Sequence, residues 1–192
     1  MAWHNGKWWP IYVPDWYAPR VSQNLFDPYS FCHILHGFIF FGLWGWWPQL
    51  VWGYAWWWVW LVGAGIALLA ELAHELIENS EWMIQMYRNN SGTSGLYEGD
   101  SLQNIIGDLI SCIFGWYLTA LCVHYGVWWI ILIWTVTSEL ALLFYMRDNG
   151  ILVVIQLTCN IEAIKRWQAE KVPEEGQPKP NPEETAALKP LA

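Results

Sequence analysis

The chain has 192 residues, 55% of them hydrophobic and 14% charged, with a formal net charge of −8. Soluble domains run nearer to about 45–50% apolar and about 25% charged, so this composition excludes an ordinary soluble globule and predicts a single integral membrane domain. Nine Lys and Arg against 17 Asp and Glu leave no basic footprint, which excludes nucleic acid as a partner.

In chain order, residues 1–28 are aromatic, punctuated by proline and too polar to span a bilayer, and they lack the pattern of a signal peptide; they are expected to lie on the membrane surface. Asp27-Pro28 offers a helix cap followed by proline, and Tyr29 to Trp47 reads as a first span stopped at Pro48. Val51 to Ala70 carries no charge and reads as a second span, with helical periodicity continuing past Glu71 to Met83. The run Asn89 to Gly99 is rich in Asn, Ser and Gly and predicts a loop. A third helix is expected from Asp100 to about Tyr125, a turn at Gly126, and a fourth span from Val127 to Met146 that contains one acid, Glu139. Ile151 to Leu157 is too short to cross, which predicts an interfacial or re-entrant segment and then an amphipathic helix ending near Lys171. The last stretch, 172–192, is Pro, Glu and Lys with little to bury and is expected to be disordered.

The fold expected is therefore all-α: a polytopic membrane bundle of four transmembrane helices over residues 29–171, with interfacial N- and C-terminal segments. Eighteen Trp and nine Tyr suit aromatic belts at the two interfaces. Lys7, Arg20, Arg88, Arg147, Lys165, Arg166 and Lys171 all fall on one side of such a bundle, which predicts both termini in the cytoplasm. The four cysteines sit in apolar segments without CxxC spacing and read as buried thiols.

Chemistry concentrates at the inner end. At 100° per residue, Glu71, His74, Glu75 and Glu78 fall within about 100° of arc on one helix, and Asp100, Asn104 and Asp108 within about 80° on the next. His33 and His36 are i, i+3 neighbours at the start of the first span. Carboxylates inside a bilayer are costly unless paired or wet, which makes them functional candidates; a solvated helix end is the competing reading if the boundary lies at Glu71. The candidate metal ligands are His33, His36, Glu71, Asp100, Asn104, Asp108 and Glu139, and mixed imidazole, carboxylate and amide donors suit Zn, Mn or Mg without choosing among them. Asp100 has a bland alternative as a helix cap, and Glu139 as a neutral, hydrogen-bonded acid. Glu75 and Glu78 are the candidate general bases. The sequence contains no nucleophile elbow, phosphate loop or HExxH.

Cys32-His-Ile-Leu-His-Gly37, Glu71-x3-Glu75-x2-Glu78-Asn-Ser80, Tyr87-Arg88, Gly99-Asp-Ser101-x2-Asn104-x3-Asp108, Glu139, Arg147-Asp-Asn149 and Arg166-Trp-Gln168 together resemble an uncharacterised bacterial inner-membrane family of the DUF2585 or UPF0314 type. The likeness spans about Ser22 to Gln168 and implies a polytopic inner-membrane protein without implying an activity. The chain departs from the pattern in lacking an expected N-terminal hydrophobic segment, in its Trp content, and at His74, where Trp is expected; the last departure counts against His74 as an essential ligand. More loosely, the architecture is similar to VanZ-type membrane proteins, which is analogy of fold alone. Two functions are expected to compete: a metal-dependent enzyme acting on a lipid or lipid-linked phosphate, and a non-catalytic subunit whose Trp-rich surfaces dock on membrane-protein partners or lipid.

Overall fold

A computed structural model describes Ile11, Tyr12, Trp16, Tyr17 and residues 21–173. The rest of the expected surface segment, with Lys7 and Arg20, and the expected disordered tail from residue 174 lie outside the described residues. Within them the chain is helical: α1 (Ser30–Phe40), α2 (Trp47–Trp52), α3 (Ala64–Glu78), α4 (Glu81–Asn90), α5 (Leu102–His124), α6 (Trp129–Met146), α7 (Gly150–Cys159) and α8 (Glu162–Ala169). The only pairing of extended backbone among these residues is an isolated bridge between Tyr12 and Phe26.

Side-chain caps place several of the helix starts. The Ser80 hydroxyl accepts from Met83 N, Ser101 from Asn104 N and Asn149 from Leu152 N, each filling a donor that the first turn leaves open. The break at Asn79-Ser80 ends α3 before Met83, and Ser101 rather than Asp100 caps α5.

The two apolar hairpin legs differ from the sequence reading. Pro48 does not stop the first helix: a π-helical stretch, Phe41–Trp46, joins α1 to α2, and Pro48 takes an early position of α2, where its missing N–H is tolerated. The helix ends instead at Gly53, whose φ of 66° is the left-handed cap that glycine adopts without cost. The second leg consequently starts later than Val51. It begins with a π-helical stretch, Trp58–Gly63, and runs unbroken through Glu78, so that Glu71, Glu75 and Glu78 belong to the span itself. Wide π turns free carbonyls, and buried aromatic donors meet them: Trp116 Nε1 donates to Val59 O at 3.2 Å and the Tyr117 hydroxyl to Trp60 O at 2.9 Å.

Three helical runs are long and apolar enough to cross a membrane: Trp58–Glu78, Leu102–His124 and Trp129–Met146, of 21, 23 and 18 residues. The run from Ser30 to Trp52 is also helical, but His33, His36, Pro48, Gln49 and its tryptophans lower its apolarity. Burial is inverted relative to a water-soluble core. Glu71, Glu75, Asn104, Asp148, Gln156 and Gln168 are among the most completely buried side chains, while Leu61, Leu69, Leu76, Ile133 and Phe144 face outward. That pattern suits a hydrocarbon solvent, in which the polar groups must find one another.

The central helix is α5, half of whose apolar stretch is buried against 28% for the other two spans. It crosses α1 at Gly37 and Gly115. A Cβ on Gly37 would run into the Cys112 carbonyl, and one on Gly115 into the Ile34 carbonyl, so only glycine lets the two backbones meet. Around this crossing Phe41, Val59, Ala64, Ala67, Trp116 and Ala120 form the apolar core.

At the other end of the bundle from Gly53 and Gly126, a layer of α4, α7, α8 and the 91–101 loop is fastened by Asp148. Arg147 adopts a left-handed conformation (φ 57°) that closes α6. The next carboxylate turns inward to accept from Thr93 Oγ1 at 2.6 Å, Gln168 Nε2 at 3.1 Å and its neighbour Asn149 N at 3.0 Å. Burial nonetheless raises the Asp148 carboxyl from 3.8 to about 6.

Two predictions follow from packing and from this carboxyl. Gly115→Val should destabilise the protein in detergent by at least the ~1–3 kcal/mol of overpacking, whereas Gly65→Ala, where nothing lies within 4 Å, should be neutral or stabilising by up to about 1 kcal/mol, as read from thermal melts. For Asp148 the folded state holds its proton to higher pH than the unfolded chain, so its contribution is complete below about 4 and is lost as pH rises through 6. Melting temperatures of Asp148→Asn relative to wild type should therefore improve between pH 4 and pH 7; a gap that does not change with pH would refute the assignment.

Candidate metal centre

The polar end of the bundle is where α1 begins, α3 ends and α5 begins. α1 supplies two imidazoles one turn apart, α3 a row of acids on one face, and the Gly37–Gly115 crossing brings both against α5. Glu71, with no exposed surface, lies between the histidines: His33 Nδ1 is 2.6 Å from its Oε1, and His36 Nδ1 is 3.1 Å from both of its oxygens. His33 also lies 3.3 Å from Glu75 Oε1 through Nδ1 and 3.9 Å from Asp108 Oδ1 through Nε2. One buried imidazole thus touches acids of both α3 and α5, and three separate helices converge.

His74 joins them, contrary to its discount from the resemblance. Its ring packs against His36 with centroids 4.7 Å apart, and its Nδ1 is 3.3 Å from Glu78 Oε2. Three sets of donors each lie within 4.8 Å of one another: His33, His36, Glu71 and His74; His33, Glu75 and Asp108; and His74, Glu75 and Glu78. Donors around a zinc at 2.0–2.1 Å sit roughly 3.3 Å apart, so the separations about Glu71 need only a small opening to admit an ion.

The other candidates take different parts. Asp108 accepts from the Ser30 hydroxyl at 3.1 Å. Asn104 donates to Asn24 O at 3.0 Å and approaches Asp27 Oδ2 at 3.5 Å, which ties α5 to the segment before α1. Asp100 is held by Asn79 Nδ2 at 2.8 Å and by the Tyr97 hydroxyl at 2.9 Å, and falls in none of the three donor sets. Glu139 stands apart from the centre: its Oε2 accepts from Ile151 N at 3.2 Å and its backbone carbonyl from Asn149 Nδ2, so it steadies the start of α7. Depth within one helix carries no information about which neighbour a side chain meets.

A cavity of about 230 Å³ adjoins the centre and is lined by His33, His36, His74, Glu78 and Asp108. Tyr87, Tyr97 and Asp100 line it as well, and Val153, Val154 and Leu157 of α7 add apolar surface. Among the described residues no Lys or Arg lines it. Asp27 reaches it as well, with a carboxylate that accepts from Tyr29 N at 2.8 Å and Ser30 N at 3.2 Å. Burial outweighs those donors and raises the Asp27 carboxyl to about 7. Burial likewise raises Asp100, and it keeps Tyr87 and Tyr97 protonated as donors. The cysteines are free, with Cys112 and Cys122 buried and Cys159 exposed.

Comparison with known proteins adds the family. The family described as "Protein of unknown function (DUF2585)" matches residues 4–170. The chain belongs to it. Among its relatives, a UPF0314 protein of Sphingopyxis alaskensis is 38% identical over 149 residues, covering 77% of this chain and 72% of that one. UPF0314 proteins of Agrobacterium fabrum and Paracoccus denitrificans are 31% and 33% identical, over 82% and 79% of this chain and 74% and 72% of theirs. No solved structure matches. Within this DUF2585 chain the residues to which sequence reasoning gave no place in the centre are Asp27, Asn79, Tyr87 and Tyr97. Asp27 read only as a cap, Asn79 and Tyr87 only as parts of the resemblance, and Tyr97 as an interfacial aromatic; the available signal was their place beside the acidic motifs.

Proposed function

We propose that this DUF2585 protein is a metal-dependent membrane enzyme that acts on a lipid or lipid-linked phosphate at the headgroup level. The observation that carries the reading is the convergence of His33, His36, Glu71 and His74, with donor atoms within 4.8 Å of one another, at the wall of a cavity lined by both polar and apolar side chains. Four spans, Ser30–Trp52 together with the three long apolar runs, cross the bacterial inner membrane, with both termini and the centre on the cytoplasmic side. Membrane lipids are then the natural partners.

In this reading His33, His36 and Glu71 would hold a divalent cation, zinc, manganese or magnesium. Bound there, it would supply charge neutralisation of phosphate oxygens and a more acidic water. The water oxygen adds to phosphorus as the bond from phosphorus to the leaving oxygen breaks. One water proton passes to Glu75 or Glu78, the nearest uncommitted carboxylates, and from there to the leaving oxygen. The apolar residues of α7 accommodate the first carbons of the chain. Asp100, Asn104 and Asp108 line the same cavity and are not required as ligands.

Purified protein in detergent should retain at least one equivalent of divalent metal by elemental analysis. His36→Ala or Glu71→Gln should weaken it by at least about 10–100-fold, the cost of losing even an outer partner. His124→Ala, whose ring packs on Trp56 far from the centre, should leave it unchanged. A protein that carries no metal after stripping and reloading would favour the subunit reading, in which the cluster is a structural network and the Trp-rich surfaces dock on partners.

A further inference from the structure

We infer that the centre holds two cations rather than one, and that His74, Glu75 and Glu78 bind the second; this rests on the metal-dependent reading above. The two donor sets are separable by how their atoms are already used. His33, His36 and Glu71 satisfy one another through contacts of 2.6–3.1 Å. The neighbouring set is less fully used. Both carboxylate oxygens of Glu75 are buried with no hydrogen-bond partner, and beside them His74 Nδ1 and Glu78 Oε2, also buried, are in ion-pair contact at 3.3 Å.

The orphaned Glu75 oxygens and the His74–Glu78 pair make up one compact group, with donors of all three residues within 4.8 Å of one another. Glu75 is the most telling member. It is 1% exposed, and His33 Nδ1, although 3.3 Å away, is aligned on Glu71 instead. An ionised carboxylate buried without donors costs several kcal/mol, and a protonated one would still need an acceptor for its hydrogen. A divalent cation satisfies both oxygens at once and draws in the Glu78 oxygen and the His74 nitrogen beside it. One imidazole with two carboxylates is a donor set that manganese and zinc both accept.

Positions 74, 75 and 78 share one face of α3, and Glu71 lies one turn before them on the same face, so the two sets are adjacent along one helix. The 4.7 Å packing of His36 on His74 joins them. Paired cations about 3.5–4 Å apart can share a water and clamp the attacking and leaving oxygens of a phosphoryl group. In such a centre Glu75 and Glu78 would hold the second cation rather than take up a proton, and the two cations together would supply the acidification of water that the single-ion reading leaves to one cation.

The test uses the full chain in detergent, stripped with chelator and titrated with Mn(II) alone, followed by elemental analysis and electron paramagnetic resonance. Two equivalents with an exchange-coupled spectrum are expected for the wild type. Glu75→Gln and, as a second and less buried variant, Glu78→Gln should each bind one equivalent and give the uncoupled six-line signal, at unchanged helix content by circular dichroism. Wild type saturating at one uncoupled ion overturns the second site and leaves the single-ion reading intact. Wild type binding none overturns both. Two coupled ions retained in both variants would overturn the assignment to Glu75 and Glu78.

Discussion

A carboxylate with no exposed surface, Glu71, lies between two imidazoles, and the polar end of the bundle depends on that contact. Neither partner is stable alone in hydrocarbon. An unpaired Glu71 would be an uncompensated buried charge, and His36 would lose the carboxylate that its Nδ1 meets. The pair requires α1 and α3 to approach at this height, and the approach requires α1 to lie flat on α5, which Gly37 and Gly115 permit. Backbone packing at the middle of the bundle and chemistry at its end are therefore one constraint.

The π-helical stretches serve the same constraint from the other side. Each wide turn frees a carbonyl that hydrocarbon cannot solvate, and each finds a buried indole or phenol: Val59 O accepts from Trp116, Trp60 O from Tyr117 and Trp44 O from Trp58 at 3.4 Å. The tryptophans in the bundle are thus of two kinds. Trp116 is fully buried and pays for an irregular backbone, whereas Trp46, Trp47, Trp52, Trp57, Trp128 and Trp129 are exposed around the end opposite the centre, where an interfacial belt would sit.

Periodicity made part of this legible in advance. A helix advances 100° per residue whatever surrounds it, so the shared face of Glu71, Glu75 and Glu78 could be read from spacing, as could that of Asn104 and Asp108. Helix ends were harder. Pro48 looked like a stop because proline breaks an α-helix, but the π turn ahead of it already opens the hydrogen-bond ladder; the true stop, Gly53, has a positive φ that apolar patterning does not register. What lies across from what was legible only in part: the expected grouping of His33, His36, Glu71 and Asp108 does form, but Asp100 and Glu139 fall in none of the donor sets. Nothing in the spacing separates Glu139, which meets the backbone of α7, from Glu75, which meets imidazole, since both are single acids in apolar helices. His74 was set aside on a resemblance, and only its packing on His36 restores it.

In the proposed reading the acids of the cavity link the metal to the substrate. Asp27, Glu78, Asp100 and Asp108 reach its wall, Glu71 and Glu75 stand behind it, and no Lys or Arg among the described residues offsets them. Burial already holds Asp27 and Asp100 toward their protonated forms; ionised, these acids would repel a bare phosphate. Enzymes that hold phosphate with arginine or lysine can dispense with metal for binding; in the proposed reading this cavity, lined by no Lys or Arg among the described residues, uses cations instead. Those cations would enter before any anionic headgroup, displacing the protons, and the acids are what would gather them there. The metal reading and the phosphate reading consequently stand or fall together, whereas a cationic headgroup would need neither.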